Sequence, residues 1–132
     1  MKQILLVEDD PFLIDIYKTK LKEAGFEVKI ATDGEEALEK LKQNNLQKKP
    51  LWPDLLILDV VLPHIDGWEV LRKIKEDEVL KDLKIVVLSN LGQKSEVERG
   101  LELGAAKYLI KAHYTPSQVV EEIKKILNPT NY

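Results

Sequence analysis

The stretch Leu55-Leu56-Ile57-Leu58-Asp59-Val60-Val61-Leu62-Pro63-His64-Ile65-Asp66-Gly67 decides the fold. Its first four residues form a continuous apolar run, which is typical of a β-strand that is buried on both faces. Asp59 closes that run and precedes a loop that contains a proline and a glycine. Ligands of α/β sheets bind at the carboxyl ends of the strands, so we expect Asp59 at the mouth of such a sheet.

Other apolar runs are also followed by residues with charged or hydroxyl side chains. Glu8, Asp9 and Asp10 follow the first run, at residues 4–7, and Lys111 follows the last run, at residues 108–110. Ser89 closes a further run at residues 85–88. Acids, a lysine and a hydroxyl at one rim of a sheet are typical of a site for a metal ion and a phosphoryl group.

Predicted strands and helices alternate five times along the chain. The strands are predicted near residues 3–7, 26–30, 55–59, 83–89 and 106–110. Helices are predicted to begin after Asp10, Asp33 and Gly67, near Ser95, and at Thr115, where Asp10-Pro11 and Thr115-Pro116 are strong helix starts. Strands joined by such helices need right-handed parallel crossovers. The pattern therefore predicts an α/β fold, a doubly wound five-stranded parallel sheet with five helices.

Composition narrows the class of protein. The chain has 132 residues, which fits a single domain over residues 1–132 with its core at about residues 2–127. Its net charge of −3 and interleaved lysines and glutamates argue against a nucleic-acid binder. The absence of cysteine excludes disulfides and thiolate metal sites. The apolar stretches are too short to span a membrane and no signal peptide is expected, so we expect a cytoplasmic protein.

The acids at the strand ends predict a magnesium site. Carboxylates held close together at a partly desolvated rim repel one another, and a hard divalent cation relieves that repulsion. Mg²⁺ takes one or two protein carboxylates together with water and phosphate oxygens. We expect Asp9 and Asp59 to be direct ligands of the metal. Glu8 is expected to act through a bound water, or without touching the metal itself.

The same residues allow phosphoryl transfer. An aspartate can attack phosphorus to give an acyl phosphate, so Asp59 is the candidate nucleophile. Lys111 would neutralise charge on the transferring oxygens, while the hydroxyl of Ser89 would donate a hydrogen bond to them.

On these motifs the chain resembles the receiver domain of the two-component response regulators, of the stand-alone chemotaxis-regulator type. The resemblance covers about residues 2–127 and implies the flavodoxin-like strand order 2-1-3-4-5. It also implies roles for single residues: the acidic pair Glu8 and Asp9, the phosphoacceptor Asp59, the backbone carbonyl of Val61 as a further metal ligand, the switch residues Ser89 and Tyr108, and the family's lysine at Lys111.

Two positions depart from the family's pattern. Asn90 stands where a small residue, often alanine, usually follows the switch hydroxyl, so we expect Asn90 to modulate the rate of dephosphorylation. Ala112 stands where proline usually follows the lysine. A cis bond before a non-proline residue costs about 3–4 kcal/mol, so we predict a trans Lys111–Ala112 peptide with Lys111 still directed at Asp59.

Five further residues near these motifs are predicted to have structural roles rather than roles in the site. Trp68 is predicted to be a half-buried packing residue at the start of the third helix, and Trp52 to cover the bottom of the sheet. His64 and His113 are predicted to be solvated loop residues, and Asp10 to be a helix cap.

The resemblance implies a signalling switch. A histidine kinase or a phosphotransfer protein would phosphorylate Asp59, and an unknown protein target would read the face formed by the fourth helix, fifth strand and fifth helix. We expect no nucleic-acid or membrane partner, a monomer or weak dimer, and no enzyme activity beyond self-phosphorylation and self-dephosphorylation.

Two alternatives remain open from the sequence. A phosphorylation-independent interaction module would need neither Asp59 nor Lys111, and this chain has both. A metal-dependent aspartyl phosphohydrolase usually carries a second acid two residues after its nucleophile, and Val61 occupies that position here.

Overall fold

The computed structural model describes residues 1–46 and 50–129. Strands and helices alternate along the described chain. The strands are β1 (Gln3–Val7), β2 (Glu27–Ala31), β3 (Leu55–Leu58), β4 (Ile85–Ser89) and β5 (Lys107–Ile110). The helices are α1 (Pro11–Glu23), α2 (Gly34–Asn44), α3 (Gly67–Glu76), α4 (Lys94–Glu102) and α5 (Pro116–Leu127).

The five strands form one parallel sheet in the order β2-β1-β3-β4-β5. This confirms the predicted fold class and strand order. Strand β3 lies in the middle of the sheet, between β1 and β4, and all four of its residues are buried. The order reverses between β1 and β3, so the carboxyl ends of these two strands flank the position where such sheets bind ligands.

Side chains alternate between the two faces of the sheet and pack into two core clusters. Leu56 and Leu58 pack on the side of α2 and α3, with Leu41, Leu71 and Ile74 from those helices. The opposite face packs on α1 and α5, through the buried side chains Leu6, Ile57, Tyr17, Leu21, Val119 and Ile123. Helices on both faces explain why the central strands are apolar throughout.

Polar side chains cap the helices largely as predicted. The Asp10 carboxylate accepts hydrogen bonds from the backbone N–H groups of Phe12 and Leu13 at the start of α1. The Asp33 side chain caps α2 by accepting from the N–H of Glu36. The Glu36 side chain in turn accepts from the N–H of Thr32, the residue before Asp33.

The segment before α5 contains an element that periodicity did not predict. A single-turn 3₁₀ helix spans Lys111–His113 and leads into the Thr115 cap of α5. The cis peptide found in the described part of the chain is Trp52–Pro53, so the Lys111–Ala112 bond is trans, as predicted.

The link between α2 and β3 is fastened by a buried asparagine. The Asn45 side chain accepts a hydrogen bond from the backbone N–H of Trp52 at 3.0 Å and donates one to its carbonyl at 3.0 Å. Trp52 is half-buried against the core on the side of α2 and α3, which agrees with a packing role. Residues 47–49 lie outside the described chain. None of the described helices is both long and apolar enough to cross a lipid bilayer.

Candidate functional site

The sheet places three charged residues at one rim. Glu8 follows β1 and Asp59 follows β3, and each continues the strand pairing by one residue. The N–H of Glu8 donates to the carbonyl of Ala31 at 3.1 Å, and the N–H of Asp59 donates to the carbonyl of Val7 at 3.1 Å. These bonds fix the backbone from which both carboxylates project.

Lys111 joins the two carboxylates from the end of β5. Its ammonium nitrogen lies 2.6 Å from Glu8 Oε1 and 2.7 Å from Asp59 Oδ2. The side chains of Lys111, Glu8 and Asp59 are only 9%, 2% and 7% exposed. One buried cation therefore faces two buried anions, so the cluster keeps a net negative charge that favours a further cation.

The environment shifts the pKa values of this cluster. Burial raises the pKa of Glu8, and the hydrogen bond from Lys111 opposes that shift without cancelling it. Burial alone would lower the pKa of Lys111, but its hydrogen bonds to Asp59 and Glu8 outweigh burial, and the pKa of Lys111 is raised. Lys111 is therefore a fixed positive charge beside Asp59 across the physiological pH range.

The carboxylate oxygens that Lys111 does not contact differ in the number of hydrogen bonds that they accept. Glu8 Oε2 accepts from the N–H groups of Asp9 at 3.1 Å and Asp10 at 3.2 Å, so both oxygens of Glu8 already accept hydrogen bonds. Asp59 Oδ1 accepts one bond, from the N–H of Val61 at 2.9 Å. The carboxylate of Asp9 is exposed.

Three carboxylates fit a divalent cation. Glu8, Asp9 and Asp59 can each offer an oxygen, and these oxygens lie within 4.8 Å of one another. Hard oxygen donors of this kind suit Mg²⁺ and related cations. Glu8 Oε2 already accepts two hydrogen bonds, whereas Asp59 Oδ1 accepts one and the Asp9 carboxylate is exposed, so Asp9 and Asp59 are the better placed direct ligands. Asp10 is turned away to cap α1, as predicted.

The loop after Asp59 depends on a glycine at its far end. The N–H of Gly67 donates to the carbonyl of Val60 at 2.9 Å, which folds the loop back on the end of β3. A Cβ atom on Gly67 would lie 2.3 Å from the Asp59 carbonyl oxygen and 2.3 Å from Val60 Cα. A side chain therefore cannot be placed here without displacing the backbone that carries Asp59.

The predicted switch residues, Ser89 at the end of β4 and Tyr108 within β5, bond to the same residue of the loop after β4. Ser89 is fully buried at the end of β4, and its hydroxyl accepts from the N–H of Leu91 at 3.3 Å. The hydroxyl of Tyr108 donates to the carbonyl of the same Leu91 at 2.6 Å. Burial and the nearby charge of Glu96 raise the pKa of Tyr108. Asn90 lies between Ser89 and Leu91 in the chain, and it is exposed.

The two histidines that were predicted to be solvated loop residues are both exposed. His64 is exposed with a φ of +64°, and His113 is exposed in the 3₁₀ turn. Val61 is 53% exposed, and its N–H is the group that bonds Asp59.

Sequence reasoning missed two features of the site. Tyr17 is buried on α1, and burial raises its pKa, on which the nearby charges of Lys111, Glu8 and Asp59 also act. Its helical spacing alone gave no signal of that proximity. The contact of Lys111 with Glu8 was also missed, since the sequence predicted only that Lys111 would face Asp59.

Comparison with known proteins gives a consistent family. The model of the response regulator receiver domain matches residues 4–124. A probable transcriptional regulator of Guillardia theta is 35% identical over 130 residues, which are 98% of this chain and 47% of that protein. The chemotaxis protein CheY of Thermotoga maritima is 32% identical over 126 residues, 95% of this chain and 97% of that protein. The chain spans about half the length of the transcriptional regulators that it matches.

Solved structures agree with the sequence comparison. A putative response regulator from Chloroflexus aurantiacus superposes with a TM-score of 0.83 at 36% identity, covering 96% of this chain and 97% of that one. The Mn²⁺-bound form of the response regulator Rcp1 superposes with a TM-score of 0.79 at 32% identity, covering 95% of this chain and 93% of that one.

Proposed function

Since the chain belongs to the response regulator receiver domain family, we propose that it is a phosphoacceptor switch in which Asp59 carries the phosphoryl group. Receiver domains are signalling switches rather than enzymes. The observation that carries the proposal is the buried Asp59–Lys111 contact of 2.7 Å at the carboxyl end of the central strand. It sets a nucleophilic carboxylate next to a permanent positive charge.

The residues around Asp59 suit transfer from phosphohistidine. An oxygen of Asp59 forms the new bond to phosphorus, and the phosphorus–nitrogen bond of the donor breaks, leaving its electron pair on the imidazole. Lys111 neutralises charge on the phosphoryl oxygens, and Ser89 donates a hydrogen bond to one of them. The reaction is self-phosphorylation from a histidine kinase or a phosphotransfer protein, and later self-dephosphorylation by water.

Mg²⁺ is the proposed cofactor. Asp9, Asp59 and the backbone carbonyl of Val61 would hold the ion, and Glu8 would act through a bound water. When bound, Mg²⁺ supplies neutralisation of the negative charge shared by the carboxylates and the phosphoryl group. The response regulator Rcp1, a relative, has been solved in a Mn²⁺-bound form, which supports a divalent cation as the cofactor.

The readout proceeds through protein contact. Phosphorylation adds about −1.5 to −2 charges at Asp59, which draws Ser89 and Lys111 towards the phosphoryl oxygens. The movement biases Tyr108 and the face of α4, β5 and α5, where a downstream protein would bind. We propose a cytoplasmic monomer or weak dimer with no membrane partner.

The 132-residue chain is proposed to act as one receiver domain over its whole length. Several relatives are transcriptional regulators about twice as long. The matched region ends at residue 124 within this chain, and we propose that this region itself binds no nucleic acid. The buried contact between Asp59 and Lys111 disfavours a phosphorylation-independent module, and Val61 disfavours a phosphohydrolase.

Intact-protein mass spectrometry tests the proposal. Incubation with acetyl phosphate and Mg²⁺ should add one labile phosphoryl group to the wild-type protein. EDTA should prevent the addition, and Asp59→Asn should abolish it because an amide cannot form the acyl phosphate. Equal phosphorylation of Asp59→Asn would show that the acceptor lies elsewhere, and no phosphorylation of the wild-type protein would disfavour the switch.

A further inference from the structure

Trp68 at the start of α3 stacks on the ring of Tyr108, and Arg99 of α4 covers the ring of Trp68. The rings of Trp68 and Tyr108 have centroids 6.4 Å apart and planes inclined by 28°, which is a stacked arrangement. The guanidinium carbon of Arg99 lies 4.3 Å from the centroid of the Trp68 ring. The Tyr108 ring therefore packs on Trp68 of α3, which itself contacts Arg99 of α4.

Space for the Tyr108 ring depends on Gly100 in α4. A Cβ atom built on Gly100 would lie 2.7 Å from Tyr108 Cδ2 and 3.1 Å from Tyr108 Cε2. It would also lie 3.6 Å from Trp68 Cζ3, which is ordinary contact. The inward position of Tyr108 therefore requires the absence of a side chain at this point of the helix.

The other end of Tyr108 is tied to the candidate site. Its hydroxyl donates to the carbonyl of Leu91 at 2.6 Å, and the N–H of Leu91 donates to the Ser89 hydroxyl at 3.3 Å. The backbone N–H and the backbone carbonyl of Leu91 are therefore both hydrogen-bonded to these side chains. Because the Ser89 oxygen accepts from Leu91, the direction of its lone pairs, and hence of its own O–H, is restricted.

We propose that Trp68, together with Arg99, is a positioning residue for phosphoryl binding at Asp59. It holds Tyr108 inward against Gly100, and Tyr108 then holds the loop after β4 so that Ser89 stays at the rim. The inference rests on the proposed phosphoacceptor function of Asp59. It extends that function to Trp68, at the start of α3.

The expected loss of phosphoryl binding when Trp68 is replaced follows from the loss of its stacking contact with Tyr108. A stacked aromatic pair contributes a free energy that corresponds to about a threefold to tenfold change in an equilibrium constant. Coupling is reciprocal, so a phosphoryl mimic at Asp59 must also change the surroundings of Trp68. Trp68 is therefore both the cause of the effect and a spectroscopic reporter of it.

Binding of beryllofluoride, a mimic of the phosphoryl group, tests the proposal by calorimetry at saturating Mg²⁺. Trp68→Ala should weaken binding by about threefold to tenfold, while Trp68→Phe, which keeps a ring for stacking, should restore most of the affinity. The matched control is Arg72→Ala, because Arg72 is also on α3 but pairs with Glu69 and Glu76. That control should bind within about twofold of the wild-type protein.

Thermal unfolding of each variant separates positioning from loss of fold. If folded Trp68→Ala binds beryllofluoride as tightly as the wild-type protein, or if Arg72→Ala loses as much affinity, Trp68 has no positioning role. If the wild-type protein binds no beryllofluoride in the presence of Mg²⁺, the proposed function fails, and this inference fails with it.

Gly100→Ala gives an independent test from the opposite side of the ring. Alanine favours a helix over glycine, so the variant should keep its fold, yet its methyl group displaces the Tyr108 ring. It should weaken beryllofluoride binding in the wild-type background and have no effect in a Tyr108→Ala background. An equal loss in both backgrounds would contradict a route through Tyr108.

Fluorescence in a Trp52→Phe background supplies the signature that a merely structural residue would not give. Trp68 is then the sole tryptophan, and its emission should change when beryllofluoride and Mg²⁺ bind. Tight binding with an unchanged emission would overturn the coupling while leaving the proposed function intact.

Discussion

At the scale of single residues, the two acids after β1 have different environments, which supports the different roles that we propose for them. Glu8 is 2% exposed and bonded on both oxygens, whereas Asp9 is exposed beside it. The acidic motif Glu8-Asp9 indicated a metal site, but the sequence did not show that Lys111 contacts Glu8. That contact depends on the side-chain geometry of three strand ends, which residue spacing does not specify.

Asp9→Ala tests the assignment of the metal. Without metal, Asp9 repels Glu8 and Asp59, whose oxygens lie within 4.8 Å. The variant should therefore melt about 2–4 °C higher than the wild-type protein in EDTA, and should lose the stabilisation that Mg²⁺ gives. Asp15→Ala, at an exposed position on α1, is the matched control for a simple loss of charge. An unchanged Mg²⁺ response in Asp9→Ala would place the metal elsewhere.

Glu8 gives a dependence of stability on pH with a defined sign. Its folded-state pKa is raised above the ordinary value of 4.5, so the folded state holds this proton more tightly than the unfolded state does. Its contribution to the free energy of unfolding is therefore largest below pH 4.5 and is lost as the pH rises through the raised pKa.

Urea unfolding in EDTA at a series of pH values checks this prediction. The stability of the wild-type protein relative to Glu8→Ala should fall as the pH increases above 4.5. A relative stability that increases over the same range would mean that the hydrogen bonds to Lys111 and the backbone dominate over burial.

Asn90 should slow hydrolysis of the acyl phosphate. It is exposed directly after Ser89, and its side chain is larger than alanine, so we expect it to flank the approach of water to Asp59. Asn90→Ala should therefore shorten the phosphorylated lifetime, which intact-protein mass spectrometry over time would measure. Lys94→Ala, exposed at the start of α4, serves as the control. A lifetime that is unchanged or longer in Asn90→Ala would exclude steric shielding.

At the scale of elements, the loop between Asp59 and α3 is the most constrained connection. Gly67 lies where its backbone touches that of Asp59 and Val60, and added atoms would overlap at 2.3 Å. Asp66 caps α3 by accepting from the N–H of Glu69 at 3.0 Å. The loop is therefore fixed at its end by a cap and a close backbone approach.

Gly67→Ala should be strongly destabilising, by more than about 3 kcal/mol, because the clash involves backbone atoms that cannot move aside. Gly25→Ala is the matched control. Gly25 has a φ of +93° but has no atoms within 4 Å of an added Cβ, so it should cost only about 1–2 kcal/mol. Urea denaturation measures both. Similar losses in the two variants would show that close approach is not what selects glycine at position 67.

Sequence predicted the elements whose signals are local. The apolar runs of β3 and β4 and the starts Asp10-Pro11 and Thr115-Pro116 require only neighbouring residues to interpret. The 3₁₀ turn at Lys111–His113 has no such periodicity, since it is set by the route from β5 to α5. The stacking of Trp68 on Tyr108 was also missed, because it joins residues from separate elements through tertiary packing.

At the scale of the whole molecule, the fold brings distant positions to one rim. Glu8, Asp59 and Lys111 come from three strands that are separated along the chain, and the parallel order of the sheet makes their ends coincide. Ser89 ends β4, the strand between β3 and β5, and the backbone of Leu91 connects its hydroxyl to that of Tyr108. A phosphoryl group on Asp59 would therefore act on a network that already connects the site to the helix surface.

Borohydride trapping with peptide mapping tests the central claim most directly. Borohydride reduces an aspartyl phosphate to homoserine, so after treatment with acetyl phosphate and Mg²⁺ the peptide that contains residue 59 should carry homoserine at that position. The wild-type protein should show this conversion at Asp59, and omission of acetyl phosphate should prevent it. Homoserine at Asp9 or at another aspartate, with residue 59 unmodified, would contradict the account.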